Sequence, residues 1–149
     1  MRNFLIVIFS TTLLFAAQNS YSTSSSWLMQ ISTTQGRFGA IEEQFRGFDT
    51  AMMEVRYRYD AIKKALEVKN YELANYHLGK IKVSIENGYT RRPSRKEASQ
   101  NFFLNTTYEE FKKALELKND TQIADKFDDL RNSCNACHAD QKVGFITVE

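Results

Sequence analysis

Phe38, Ile41, Phe45, Phe48, Met52, Val55, Tyr59, Ile62 and Leu66 follow one another at steps of three and four without a miss. That period marks one face of an α-helix, and its length predicts a single long helix over 38–66 with a bundle-type seam. Lys69-Asn70 interrupts it. A second stripe, Tyr71, Ala74, Leu78, Ile81 and Ile85, predicts a helix over 70–87, closed by the stop signal Asn87-Gly88. Tyr89 to Lys96 holds the only proline, Pro93, among Arg91, Arg92, Arg95 and Lys96, and reads as a basic connector.

Ala98, Phe102, Leu104, Tyr108, Phe111 and Leu115 predict one helix over 97–117. Within it, Asn105-Thr106-Thr107 is either a kink or a fresh start, with Glu110 completing a capping box. Asn119-Asp120 opens a fourth stripe through Ile123, Phe127, Leu130, Cys134 and Cys137. Four amphipathic helices on short connections predict an all-α, antiparallel up-down-up-down four-helix bundle with a long first helix. A tail, Ala139 to Glu149, is expected to fold Phe145 and Ile146 back onto the open end. A chain of 149 residues with 42% hydrophobic content has the length for one ordinary domain and not for a large two-domain enzyme. Its net charge of +2 is spread along the chain, which argues against nucleic acid as a partner.

Met1-Arg2-Asn3 precedes an uncharged run from Phe4 to Ala17, the length of a signal-peptide core rather than of a membrane span. Ser20-Tyr21-Ser22 offers small side chains where a signal peptidase needs them. The expected organisation is a cleaved signal over 1–22, a flexible segment over 23–35 that includes Trp27, and a helical domain over 36–149. The mature chain is then periplasmic, with no stable membrane anchor.

Cys134-Asn135-Ala136-Cys137-His138 is a C-x-x-C-H sequence, the attachment signal for c-type haem. Two thiols must reach the two vinyl groups of one porphyrin while the adjacent imidazole comes beneath the iron. Cys134 and Cys137 are then the thioether attachments of one haem c, and His138 is the proximal iron ligand. A zinc site would want about four ligands, and the other histidine, His77, is far along the chain. A redox C-x-x-C usually starts a helix in a βαβ setting, whereas this one ends a helix in an all-α chain.

An exported four-helix bundle with C-x-x-C-H at the end of its last helix resembles the cytochrome c′ family and its low-spin relatives of the same fold. Only the haem motif is residue-specific in that likeness. It implies a covalent haem with Cys134 and Cys137 as attachments and His138 as axial ligand.

The opposite face of the iron separates two functions. In an antiparallel bundle His138 lies about 27 Å below the end where the last helix begins, which matches the level of Phe48 on the first helix. Phe45, Phe48 and Met52 are all on the inward stripe within about 6 Å of that level. Met52 is a candidate sixth ligand, and the phenylalanines can only block the iron. Ile85, Phe102, Phe103 and Leu104 are expected to wall the pocket, and Arg91, Arg92 and Arg95 to pair with the haem propionates. His77 lies roughly 16 Å from that level and is expected at the surface or the rim.

With Met52 bound, the protein is a low-spin electron carrier serving a redox partner protein. With an apolar residue such as Phe48 over a five-coordinate iron, it binds small gases such as nitric oxide or carbon monoxide, as the cytochrome c′ resemblance implies. No acid-base pair near the predicted pocket suggests an enzyme, and the aromatic helix faces permit a homodimer.

Overall fold

The computed structural model describes residues 26–149; the expected signal peptide, 1–22, and its cleavage site lie outside them. The chain divides into two compact units at Ile41/Glu42. In the first unit, Trp27–Gln30 forms a 3-10 turn, so the stretch read as a flexible segment contains a local element. Helix α1, Thr34–Phe45, begins there with Arg37 Nε donating to Ile31 O at 2.9 Å.

In the second unit every described element is helical: α2 (Asp49–Glu67), α3 (Tyr71–Arg91), a 3-10 turn at Pro93–Arg95, the short α4 (Lys96–Ser99) running into a π turn (Gln100–Leu104), α5 (Thr107–Leu117) and α6 (Asp120–Asp140). Among the described residues no helix is long and apolar enough to cross a membrane.

The long first helix is corrected. It breaks at Arg46-Gly47-Phe48, where Arg46 takes φ 58°. Glycine weakens a helix interior, and the break is then stabilised from outside the ladder. Gly47 N donates to Asp49 Oδ1 at 2.9 Å, Thr50 Oγ1 donates to Phe45 O at 2.8 Å, and Arg91 Nε reaches Gly47 O at 3.1 Å. The apolar stripe continues across the break, which is why periodicity alone does not reveal it.

Two further boundaries move. Helix α3 passes straight through Asn87-Gly88, because Gly88 is a packing residue and not a stop. A Cβ there would meet Phe48 Cε2 at 2.5 Å and Ala51 Cβ at 3.1 Å. The expected single third helix is interrupted at Asn105-Thr106. Thr106 is the cap residue of α5, but its Oγ1 donates back to Phe102 O at 3.0 Å; Thr107, three residues before Glu110, turns its Oγ1 to Ser133 Oγ at 2.9 Å, so the capping box is absent.

The corners leading into α3 and α6 share one device. Lys69 and Lys118 take the left-handed conformation at φ 54° and 52°, ending α2 and α5, and the following asparagines cap the next helix. Asn70 Oδ1 accepts from Leu73 N at 3.0 Å and Asn119 Oδ1 accepts from Gln122 N at 3.1 Å. Each lysine pairs with the first turn of the other hairpin: Lys69 with Asp120, and Lys118 Nζ with Glu72 Oε1 at 2.6 Å. Tyr71 OH also donates to Asp120. These pairs are exposed and worth little singly, but they set the two corners side by side.

α2 packs along α3, α5 along α6, α3 against α5, and the π turn against α6. Phe111, Ile62, Leu78, Ile81, Leu115 and Leu130 are the largest fully buried side chains. Each contributes about 1.5–3 kcal/mol by leaving water. Tyr59 of α2 and Phe127 of α6 stack at 5.0 Å. Among the described residues no buried side-chain nitrogen or oxygen lacks a partner.

Candidate functional site

The motif occupies the last two turns of α6. Positions 134, 137 and 138 fall on one side of a helix with 3.6 residues per turn, so Cys134, Cys137 and His138 share a face. That face opens on a cavity of about 560 Å³ in the second unit, within the size range of small-molecule and cofactor sites. Met52, Phe48, Ile85 and Phe103 line its walls, and the lining is mostly apolar. Arg92 and Arg95 also border it.

Four of the predicted site residues are elsewhere. Phe45 belongs to α1 beyond the break and is 57% exposed, off the cavity lining. Arg91 is committed to the carbonyl of Gly47 and does not line the cavity. Its neighbour Arg95 does, with its guanidinium hydrogen-bonded to Gln141. Phe102 and Leu104 also stay off the lining, Leu104 being part of the core. Met53, one position on from the inward stripe, lines the cavity beside Met52.

His77 is also corrected. It is buried, not at a rim, with Arg58 Nη1 3.3 Å from its Nδ1 and the Tyr76 ring edge-on at 5.2 Å. Burial, with the Arg58 charge second, holds its pKa below the ordinary 6.5. It takes no part in the cavity lining.

Phe48 is held in place by its neighbours. Its ring lies over Gly88 and stacks on Tyr89 at 6.5 Å. Tyr89 OH is 2.7 Å from Ser99 Oγ, which itself donates to Arg95 O at 2.9 Å. This chain of contacts links α2, α3 and α4 around one wall.

The thiols are poor nucleophiles here. Burial, and then the neighbouring Cys137, push the Cys134 thiol up to about 12; burial and then Asp140 raise Cys137 as well. A dithiol redox centre needs the opposite, a thiolate favoured by a helix N-terminus or nearby cations. No disulfide joins the two cysteines.

The imidazole of His138 is held by the tail. Its Nδ1 lies 2.8 Å from Ile146 O. A carbonyl only accepts, so Nδ1 carries a proton, and in the neutral ring Nε2 keeps the lone pair that a metal takes. Among the described residues no three His, Cys, Asp or Glu side chains come together as ligands of one ion. Cys134, Cys137 and His138 are instead spaced along one wall of an apolar cavity. A large flat group anchored at several points asks for that arrangement, and the residues present fit it.

The tail departs in detail from its expected docking. Phe145 is 83% exposed, while Val148 packs against the core. Val143, Ile146, Thr147 and Val148 complete the cavity wall. Asn135, an unspecified position of the motif, grips Val148 through both ends of its amide, and nothing in helical periodicity signals that bond. No protein family, curated protein or solved structure matches this chain.

Proposed function

We propose that the protein is an exported c-type cytochrome that carries electrons. One haem c would occupy the cavity, joined by thioether bonds to Cys134 and Cys137, with His138 as proximal ligand. The observation that carries this reading is the convergence of the three motif side chains on one apolar cavity, with the His138 proton held on Nδ1. Bound there, the group supplies a reversible one-electron iron centre.

The chain's own residues do the rest. Met52 is offered as the sixth ligand, and the thioether of methionine favours a raised potential suited to a soluble carrier. Ile85 and Phe103 exclude water from the site, and Arg92 and Arg95 at its border complement carboxylates. The two lysine-asparagine corners lying side by side support an antiparallel up-down-up-down bundle formed by α2, α3, the α4-to-α5 arm and α6. Residues 1–22 serve as the cleaved signal that delivers the chain to the periplasm, and a redox partner protein takes the electron. The reading assigns a carrier and no turnover.

One observation favours a second reading. Phe48 shares the cavity wall with Met52 and is braced by Gly88 and Tyr89, so it can cap a five-coordinate iron. The protein would then bind nitric oxide or carbon monoxide in the manner of the cytochrome c′ family that it resembles. Visible spectra of the exported protein, oxidised and reduced, with and without carbon monoxide, separate the two. A low-spin spectrum indifferent to the gas, lost in Met52→Leu, supports the carrier. A high-spin ferrous spectrum that shifts with carbon monoxide and ignores Met52→Leu supports gas binding, and a protein without covalent haem overturns both.

A further inference from the structure

Asn135 and the tail after α6 play no part in the haem-attachment signal, yet they meet. Asn135 Nδ2 donates to Val148 O at 3.0 Å, and its Oδ1 accepts from Val148 N at 2.8 Å. The amide thus satisfies both backbone groups of one residue thirteen positions away, as a neighbouring strand would. Between these two points the chain turns back on α6, with Val143 N donating to His138 O at 2.9 Å and Ile146 N to Val143 O at 2.9 Å. Ile146 O is thereby delivered to His138 Nδ1 at 2.8 Å.

We propose that Asn135 is a positioning residue for His138. It fastens the C-terminal strap so that the Ile146 carbonyl holds the imidazole proton on Nδ1, and Asn135 itself need touch neither the ring nor a bound group. Ile146 O is main chain, so its place depends on what anchors the strap. Phe145 and Ile146 are 83% and 51% exposed and contribute little grip by burial. The anchor is Val148, packed on the core and clamped by Asn135.

The chemical consequence rests on the haem reading. A carbonyl accepting from the far nitrogen of a ligating imidazole fixes its tautomer and orientation and makes it a stronger donor to the metal. With haem bound, fastening the strap would therefore strengthen the iron–histidine bond and lower the potential.

The test compares wild type with Asn135→Ala and, separately, with a chain lacking residues 147–149, which leaves Asn135 and α6 intact. Exchange of the His138 Nδ1 proton with water is followed by NMR on each protein as isolated. In haem-loaded protein the ferrous iron–histidine stretching frequency and the midpoint potential are read as well. Circular dichroism checks that helix content is kept, and Asn135→Asp, which retains only the acceptor for Val148 N, is expected to fall between wild type and Asn135→Ala.

Wild type is expected to exchange the Nδ1 proton slowly, and both altered chains quickly, with a lower stretching frequency and a higher potential. Equal exchange in wild type and the two altered chains overturns the positioning role, as does a stretch and potential that neither change moves. A wild-type protein that holds its Nδ1 proton but lacks covalent haem overturns the cytochrome reading alone.

Discussion

Replacing Gly88 by alanine puts two effects of opposite sign at one position. Gly88 lies inside α3, where alanine is favoured over glycine by about 1 kcal/mol. Against this, the new Cβ would lie 2.5 and 2.7 Å from two Phe48 ring carbons, closer than real contacts allow, and Phe48 would have to move off its Tyr89 stack. Overpacking of this kind costs about 1–3 kcal/mol, so Gly88→Ala should destabilise by about 1 kcal/mol net. In a Phe48→Ala background the main obstacle is gone and the 3.1 Å approach to Ala51 Cβ is set against the helix preference, so the same change should range from neutral to stabilising by up to about 1 kcal/mol. Urea unfolding followed by circular dichroism on the four proteins of the cycle reads the sign directly. The coupling should be of the order of 1–2 kcal/mol, well above the error for independent sites. If Gly88→Ala has the same effect in both backgrounds, Phe48 is not braced by Gly88 and that cavity wall is wrongly described.

Other consequences follow from the buried and capping groups. His77 has a folded-state pKa below its ordinary 6.5, so the unfolded chain binds the proton first; stability should therefore fall as pH drops below about 6.5, and His77→Gln should flatten that part of the curve in denaturant titrations. Asp120 and Glu72 are held below their ordinary values, chiefly by hydrogen bonds from Lys69 and Lys118 respectively, so their contributions are present at neutral pH and lost only as pH falls through the carboxylate range. In haem-free protein at pH 8, Cys137 should react with iodoacetamide before Cys134, whose thiol sits at about 12; peptide mapping that finds Cys134 modified first would contradict its burial. Asn119→Ala should cost about 1 kcal/mol through loss of the cap on α6, seen as a lower urea midpoint at an unchanged slope.

The helices were legible because their stripes are local. Tyr71 to Ile85 and Ile123 to Cys134 each repeat at helical spacing, and Asn70 and Asn119 announce the next helix by side-chain chemistry that acts three residues away. The motif was legible for the same reason, since positions 134, 137 and 138 share a face in any α-helix. What escaped depends on partners distant in sequence. The break at Gly47 is held by Arg91, the passage of α3 through Gly88 by the fit of Phe48, and the strap by Asn135 gripping Val148. His77 is covered by Arg58 of α2, a partner 19 positions away that the stripe does not announce. Phe45 followed the seam in sequence but left the site once the helix broke.

The central claim is that the cavity beside α6 holds one haem bound through both cysteines. It is tested most directly by the mass of the exported protein after full denaturation, alongside Cys134→Ser and Cys137→Ser. The account predicts that wild type retains the mass and colour of one haem when unfolded, and that the double substitution removes both. A denatured wild-type chain with the bare polypeptide mass, isolated from a host able to attach c-type haem, would contradict it.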